Sequence, residues 1–152
     1  MQETLNQLSE LSRLAETLNK ETDLYSEALA QLEDKLKRIN LGVQSWVILN
    51  ETADSGSASR SSALRNMFGF AKTQDGWGFA IKQVRVERGF YQNDEECPWE
   101  NLYDESEPKL LLKSSREMRI LASGRLELLL QTLHEDTKAT IKSLQTARKL
   151  AE

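Results

Sequence analysis

The first forty residues repeat at alternating steps of three and four, through Leu8, Leu11, Ala15, Leu18, Thr22, Tyr25, Leu29, Leu32, Leu36 and Ile39. Read as heptads, Leu8, Ala15, Thr22, Leu29 and Leu36 take the a positions, and Leu11, Leu18, Tyr25, Leu32 and Ile39 take d. No Gly or Pro interrupts the stretch before Gly42. This pattern predicts a helix over residues 1–40 that must pair with another helix to cover its stripe. At the rise of an α-helix the seam is roughly 48 Å long.

From Leu41 the period becomes two. Leu41, Val43, Ser45, Val47 and Leu49 share one face, and Trp46 and Ile48 the other, as in a strand. Residues 51–62 are rich in Ser and poor in apolar side chains, which predicts a mobile loop. A second strand is expected at Leu64–Lys72, with Leu64, Asn66, Phe68 and Phe70 on one face. Asp75-Gly76 then supplies a hairpin signal. The third strand, Trp77–Arg88, starts with Trp77, Phe79 and Ile81 in phase and continues with Val84 and Val86 out of phase. That slip near Lys82-Gln83 predicts a bulge or a strand that changes partners. Gly69 and Gly78 sit beside aromatics, where a missing side chain lets a ring or a backbone approach.

Residues 89–107 form an acidic connection carrying Phe90, Tyr91, Trp99 and Tyr103. Glu107-Pro108 announces a second long helix over residues 108–151, proline being tolerated in a first turn. Met118, Ala122, Leu126, Leu129, Leu133, Thr137, Thr140, Leu144 and Ala151 mark its apolar stripe. The broad part, from Leu110 to Leu133, is expected to cover the sheet as well as the first helix. Gly124, costly in mid-helix, suggests a close helix crossing.

With 152 residues the chain is read as a single domain: helix 1–40, β-meander 41–88, acidic connection 89–107 and helix 108–151. The fold class is α+β. A long antiparallel two-helix coiled coil is expected, with a three-stranded antiparallel meander inserted between its helices. Thr22 at an a position leaves the hairpin incomplete, so a homodimer forming a four-helix bundle, or a higher homo-oligomer, is expected. Apolar runs are short and the N-terminus is polar, so no membrane association and a cytoplasmic location are expected.

The net charge of −4 conceals blocks of opposite sign. Residues 60–89 and 108–152 are each +4, whereas residues 94–107 carry seven carboxylates and no basic residue. A nucleic-acid protein usually carries a larger basic surplus, so that partner is disfavoured. Asp94, Glu95 and Glu96 lack the spacing of a calcium loop, and no metal or cofactor is expected. His134, the one histidine, has no nucleophile motif to serve. Cys97, the one cysteine, lies in acidic surroundings that disfavour a thiolate. With no acid–base pair and supporting third group in view, no enzymatic activity is expected.

The polar group with most chemical content is Ser115, Arg116 and Arg119, near the start of the second helix, where free N–H groups and the dipole favour an anion. Arg60 in the Ser-rich segment and Arg85 on the third strand complete a candidate site for a small, nucleotide-like anion. The competing expectation is that the arginines pair with the acidic connection of their own chain. The candidate helix seam comprises Leu8, Leu11, Leu18, Tyr25, Leu29, Leu32, Leu133 and Leu144.

Leu41-Gly42-Val43, Trp46-Val47, Phe68-Gly69-Phe70-Ala71-Lys72 and Asp75-Gly76-Trp77-Gly78-Phe79-Ala80-Ile81, followed by Leu111–Arg119, give a run that resembles a set of small bacterial and phage proteins. Those proteins share the order long helix, short sheet, long helix. The resemblance implies that architecture and a bacterial or phage origin, with no activity attached. Helix pairing is the strongest signal in the chain, so the expected function is a non-enzymatic oligomeric interaction protein, engaging a second copy or a protein partner through its helices. The alternative is a protein that sequesters a small anionic ligand, as phage anti-defence proteins do.

Overall fold

The computed structural model describes residues 1–56, 60–91, 97–104 and 106–152. It is α+β, with a long N-terminal helix, an antiparallel sheet and two C-terminal helices. Two compact units divide at Ile39.

The first unit is helix α1, Gln2–Ile39, without a break in its 38 residues. The uninterrupted run of helix-forming side chains accounts for its length, and Lys37 and Arg38 in the last turn match the negative end of its dipole. It stops where Asn40 takes a φ of 56° and Gly42 one of 66°. Asn and Gly are the residues that tolerate this left-handed region, which redirects the chain. Leu29, Glu33 and Leu36 are buried near its C-terminal end, and every side chain from Met1 to Glu21 is exposed.

In the second unit the strands are β1 (Ser45–Gly56), β2 (Arg60–Thr73), β3 (Gly76–Phe90), β4 (Pro98–Asp104) and β5 (Lys109–Leu110). They lie in the order β1-β2-β3-β4, all antiparallel, with β5 pairing the other end of the β3 edge. The three-stranded meander is therefore too small. Cross-strand pairing carries β1 and β2 through most of the Ser-rich segment, so 51–56 and 60–62 are strand, not loop. Residues 57–59 of that expected loop lie outside the described residues. The acidic connection likewise contributes β4, whose carboxylates face basic residues across the strands.

The expected bulge at Lys82-Gln83 is absent: β2 and β3 keep one register from Arg60↔Gly89 to Thr73↔Gly76. The register shifts fall in β1 instead, between Ile48 and Asn50 and between Ala53 and Ser55. The other reading of the slip holds: β3 changes partners there, Ala80 and Ile81 pairing with β5 and Val84 to Phe90 with β4. At one end of the sheet the face of Phe68, Phe70 and Phe79 is buried; at the other it is the opposite face, with Ala63, Arg65, Val84 and Val86. A strand of fifteen residues is long enough to bury different faces at its two ends.

The turn after β2 leaves Gln74 and Asp75 between the paired Thr73 and Gly76, and Gly76 takes a φ of 99°. Thr73 Oγ1 donates to the Gly76 carbonyl at 2.8 Å and accepts from the Asp75 N–H at 3.1 Å, closing the turn from inside. Lys113 holds it from outside through Asp75, at 2.9 Å.

The expected second helix is not continuous. Pro108 precedes β5, Leu111–Lys113 form a 3-10 turn, and Ser115 caps helix α2 (Arg116–Ser123) by accepting from the Met118 N–H. Gly124 ends α2, and helix α3 runs from Leu126 to Ala151. The glycine marks a break, not a crossing: with helix propensity about 1 kcal/mol below alanine, it is where the pattern fails first. α3 lies on β1 and β2, and the 3-10 turn lies on β3. Leu111, Leu129 and Leu133 are buried together with Phe68, Phe70 and Phe79 as the core. Ser45, itself buried, donates from its hydroxyl to Asp136 Oδ2 at 2.6 Å and joins β1 to α3.

Gly69 faces Trp46 across the β1–β2 pair. A Cβ there would stand 2.4 Å from the Ser45 carbonyl oxygen and 2.5 Å from the Trp46 ring, so the ring occupies the space a side chain would need. Lys82 places its ammonium 4.4 Å from the centre of that ring. Gly69→Ala is expected to cost about 1–3 kcal/mol through overpacking. Gly56→Ala, whose new Cβ would meet Ser61 Cβ at an ordinary 3.4 Å, should change stability by less than about 0.5 kcal/mol. Thermal unfolding followed by circular dichroism checks both.

Candidate interaction surface

In α1 the a and d positions of the first two heptads, Leu8, Leu11, Ala15 and Leu18, remain in solvent. Leu8 is 57% exposed, Leu11 59% and Leu18 46%, and the exposed Leu5 and Leu14 widen the same apolar strip. Only toward the C-terminal end does the stripe go under cover: Tyr25 and Leu32 are half-buried and Leu29 is buried. α3 behaves in the same way within its own unit. Leu129 and Leu133 are buried, whereas every residue from Lys138 to Ala151 is exposed, Ile141 by 50% and Leu144 by 65%. Of the sequence-derived seam, then, Leu8, Leu11, Leu18 and Leu144 form open surface, and Leu133 belongs to the core of the second unit. Leu5 and Leu14 were missed as seam residues. Their signal was the three-residue spacing of Leu5, Leu8, Leu11 and Leu14, which broadens a heptad seam into a wider face.

Contiguous apolar surface of this kind is uncommon on a chain that works alone. Covering the exposed part of each leucine is favourable by about 1 kcal/mol. Several such residues on one helix provide enough for specific pairing without any buried polar group.

The proposed anion ligands lie on separate elements: Ser115, Arg116 and Arg119 at the start of α2, Arg60 on β2 and Arg85 on β3. Ser115 uses its hydroxyl to cap α2, with Arg116 and Arg119 following on that helix and engaged in interactions of their own. Arg60 ion-pairs with Glu87 at 3.3 Å and stands 5.8 Å over the Trp99 ring. Arg85 ion-pairs with Asp54 and donates to the Ser62 hydroxyl at 3.0 Å. An open depression of about 540 Å³ lies near this end of the sheet, lined by Glu51, Asp54, Gly56, Ser61, Ser62 and Arg88. Its charged walls are already matched, Asp54 by Arg85 and Glu51 by Arg88.

Charge on the face that carries Ala63, Val84 and Val86 forms a ladder across four strands. Glu51 on β1 accepts from Arg65 on β2 at 3.0 Å and from Arg88 on β3. Arg88 also donates to Glu100 on β4 at 2.8 Å. Lys82 and Asp104 add a further β3–β4 pair at 3.4 Å. Pairing of basic strands with the acidic connection is thus seen for Arg88 and Lys82. The hydrogen bond from Arg88, reinforced by that from Arg65, holds the Glu51 carboxyl below its ordinary value against the opposing effect of desolvation. Arg88 is correspondingly raised above its ordinary value by Glu51 first and Glu100 second.

The remaining candidates are quickly placed. His134 is exposed on α3, 3.8 Å from Glu135, and Cys97 is exposed beside β4. Among the described residues no group of three His, Cys, Asp or Glu side chains is arranged to hold a metal ion. Asp94, Glu95 and Glu96 lie outside the described residues. No helix among them is long and apolar enough to cross a membrane. Comparison with protein-family models, curated proteins and solved structures gives no match.

The ladder has a pH signature. A carboxyl whose folded pKa is depressed contributes its stability above the unfolded value, 4.5 for Glu51, and loses it as the pH falls through the folded value. Glu51→Gln should therefore lower the unfolding midpoint at pH 7 relative to wild type. The gap should close as the pH falls below about 4, where the wild-type carboxyl is protonated too. Thermal melts of the two proteins between pH 7 and pH 3 check the sign.

Proposed function

We propose that the protein is a non-enzymatic, cytoplasmic interaction protein that works as a homo-oligomer. In this reading its N-terminal and C-terminal helices pair as coiled coils in a dimeric four-helix arrangement. The observation that carries the proposal is the exposure of Leu8, Leu11 and Leu18 on α1 and of Ile141 and Leu144 on α3. These are seam positions without a seam. Helical pairing needs no more than matching stripes of this kind, and its affinity scales with the number of heptads covered. The ion pairs that engage Arg60 and Arg85 support the pairing reading over capture of a small anion.

Multi-angle light scattering tests the proposal. Wild type should elute with at least twice the chain mass, and Leu8→Glu/Leu11→Glu should elute as a monomer that keeps its sheet signal in circular dichroism. Arg13→Ala, roughly on the far side of the helix at 3.6 residues per turn, should leave the mass unchanged. A wild-type monomer at high concentration would remove the proposal.

A further inference from the structure

The two open stripes differ in the charge that borders them. At about 100° per residue, Leu8, Leu11, Ala15 and Leu18 of α1 gather within a narrow sector. Glu3, Glu10 and Glu21 fall along one border of that sector, and Glu16 and Asp23 along the other. The two basic residues of the same stretch, Arg13 and Lys20, fall on roughly the opposite side of the helix. The stripe of α1 is bordered by negative charge alone. On the exposed part of α3, Thr137, Ile141, Leu144 and Ala151 make the stripe; Arg148 lies within it, Lys138 and Lys149 along one border, and Lys142 farther round beyond them. No acidic residue occurs between Thr137 and Ala151.

We infer that the partner of each stripe is the opposite stripe of a second copy, α1 of one chain pairing with α3 of the other. This deepens the oligomeric reading above and rests on it. Pairing α1 with α1 would set two acidic borders against each other, and α3 with α3 two basic ones. Like charges flanking a coiled-coil seam disfavour the wrong pair, while opposite charges favour the mixed one. The reciprocal exchange, α1 to α3 and α3 to α1, is satisfied by a single two-fold axis and closes as a dimer with two equivalent contacts. The exposed face of α1, residues 2–21, is about 30 Å long and that of α3, residues 138–151, about 21 Å, so the shorter basic stripe fits wholly within the acidic one.

Charge reversal separates this pairing from its alternatives. One variant carries Glu10→Lys, Glu16→Lys and Glu21→Lys; a second carries Lys138→Glu, Lys142→Glu and Lys149→Glu; a third carries all six. Self-association of each, and of the first two mixed, is measured by sedimentation velocity at low salt. Each triple variant alone should dimerise about tenfold more weakly than wild type, as surface ion pairs of this number allow. The six-fold variant should regain the wild-type dimer, and mixing the two triple variants should give a heterodimer. A wild-type dimer whose affinity is indifferent to either triple reversal would overturn the mixed pairing and leave the oligomeric reading standing. Rescue in the six-fold variant without a heterodimer on mixing would assign the contact to a single chain and overturn the exchange. A monomeric wild type would overturn both readings.

Discussion

The second unit depends on how α3 meets the sheet. Phe68, Phe70 and Phe79 present a flat aromatic face that must leave water, and Leu111, Leu129 and Leu133 are the large aliphatic side chains buried with them. The hydrogen bond from the buried Ser45 hydroxyl to Asp136 sets where the helix crosses β1. Both constraints act on the first half of α3 only. Beyond Thr137 the helix continues for fourteen residues with every side chain exposed, while its stripe of Ile141, Leu144 and Ala151 persists. One helix therefore serves the core with one half and offers an apolar surface with the other.

Charge performs two separate tasks in this chain. On the sheet it is satisfied locally: Glu51, Arg65, Arg88 and Glu100 tie four strands together through groups that face one another across the register. Long antiparallel strands with one solvated face are well served by such cross-strand pairs, which set register as well as adding modest stability. On the helices the charge is sorted by sign, acidic on α1 and basic along the end of α3. Sorted charge flanking an apolar stripe is a selection device. It adds little affinity by itself and decides which stripe meets which.

The helices and the aromatic face of the sheet were legible in the sequence because each is written in a period that admits one reading. Heptads over forty residues give α1, and alternation through Leu64, Asn66, Phe68 and Phe70 gives β2. Gly69 was recognisable as a close-approach position from its aromatic neighbours. The fourth strand was not legible, because Glu100, Asn101 and Asp104 hide the alternation of Trp99 and Tyr103 and because its stabilisation comes from arginines far away in sequence. The Ser-rich segment misled for a related reason: Ala53, Ser61 and Ser62 carry weak strand propensity, and pairing of β1 with β2 and of β2 with β3 decides their conformation. The phase change in β3 reads as a bulge or a change of partners when the strand is taken alone, and the full sheet decides for the change of partners, from β5 to β4. Proximity of Ser115, Arg116 and Arg119 in the sequence says nothing of where Arg60 and Arg85 stand, and those two form ion pairs on the sheet.

The central claim is that the open heptads of α1 are closed by association between chains. Hydrogen–deuterium exchange at a series of protein concentrations measures this at the residues concerned. Amides from about Leu5 to Leu24 should exchange slowly at high concentration and progressively faster on dilution, while those of β2 and β3 stay protected throughout. Exchange in that stretch that is independent of concentration, whether fast or slow, would contradict the account.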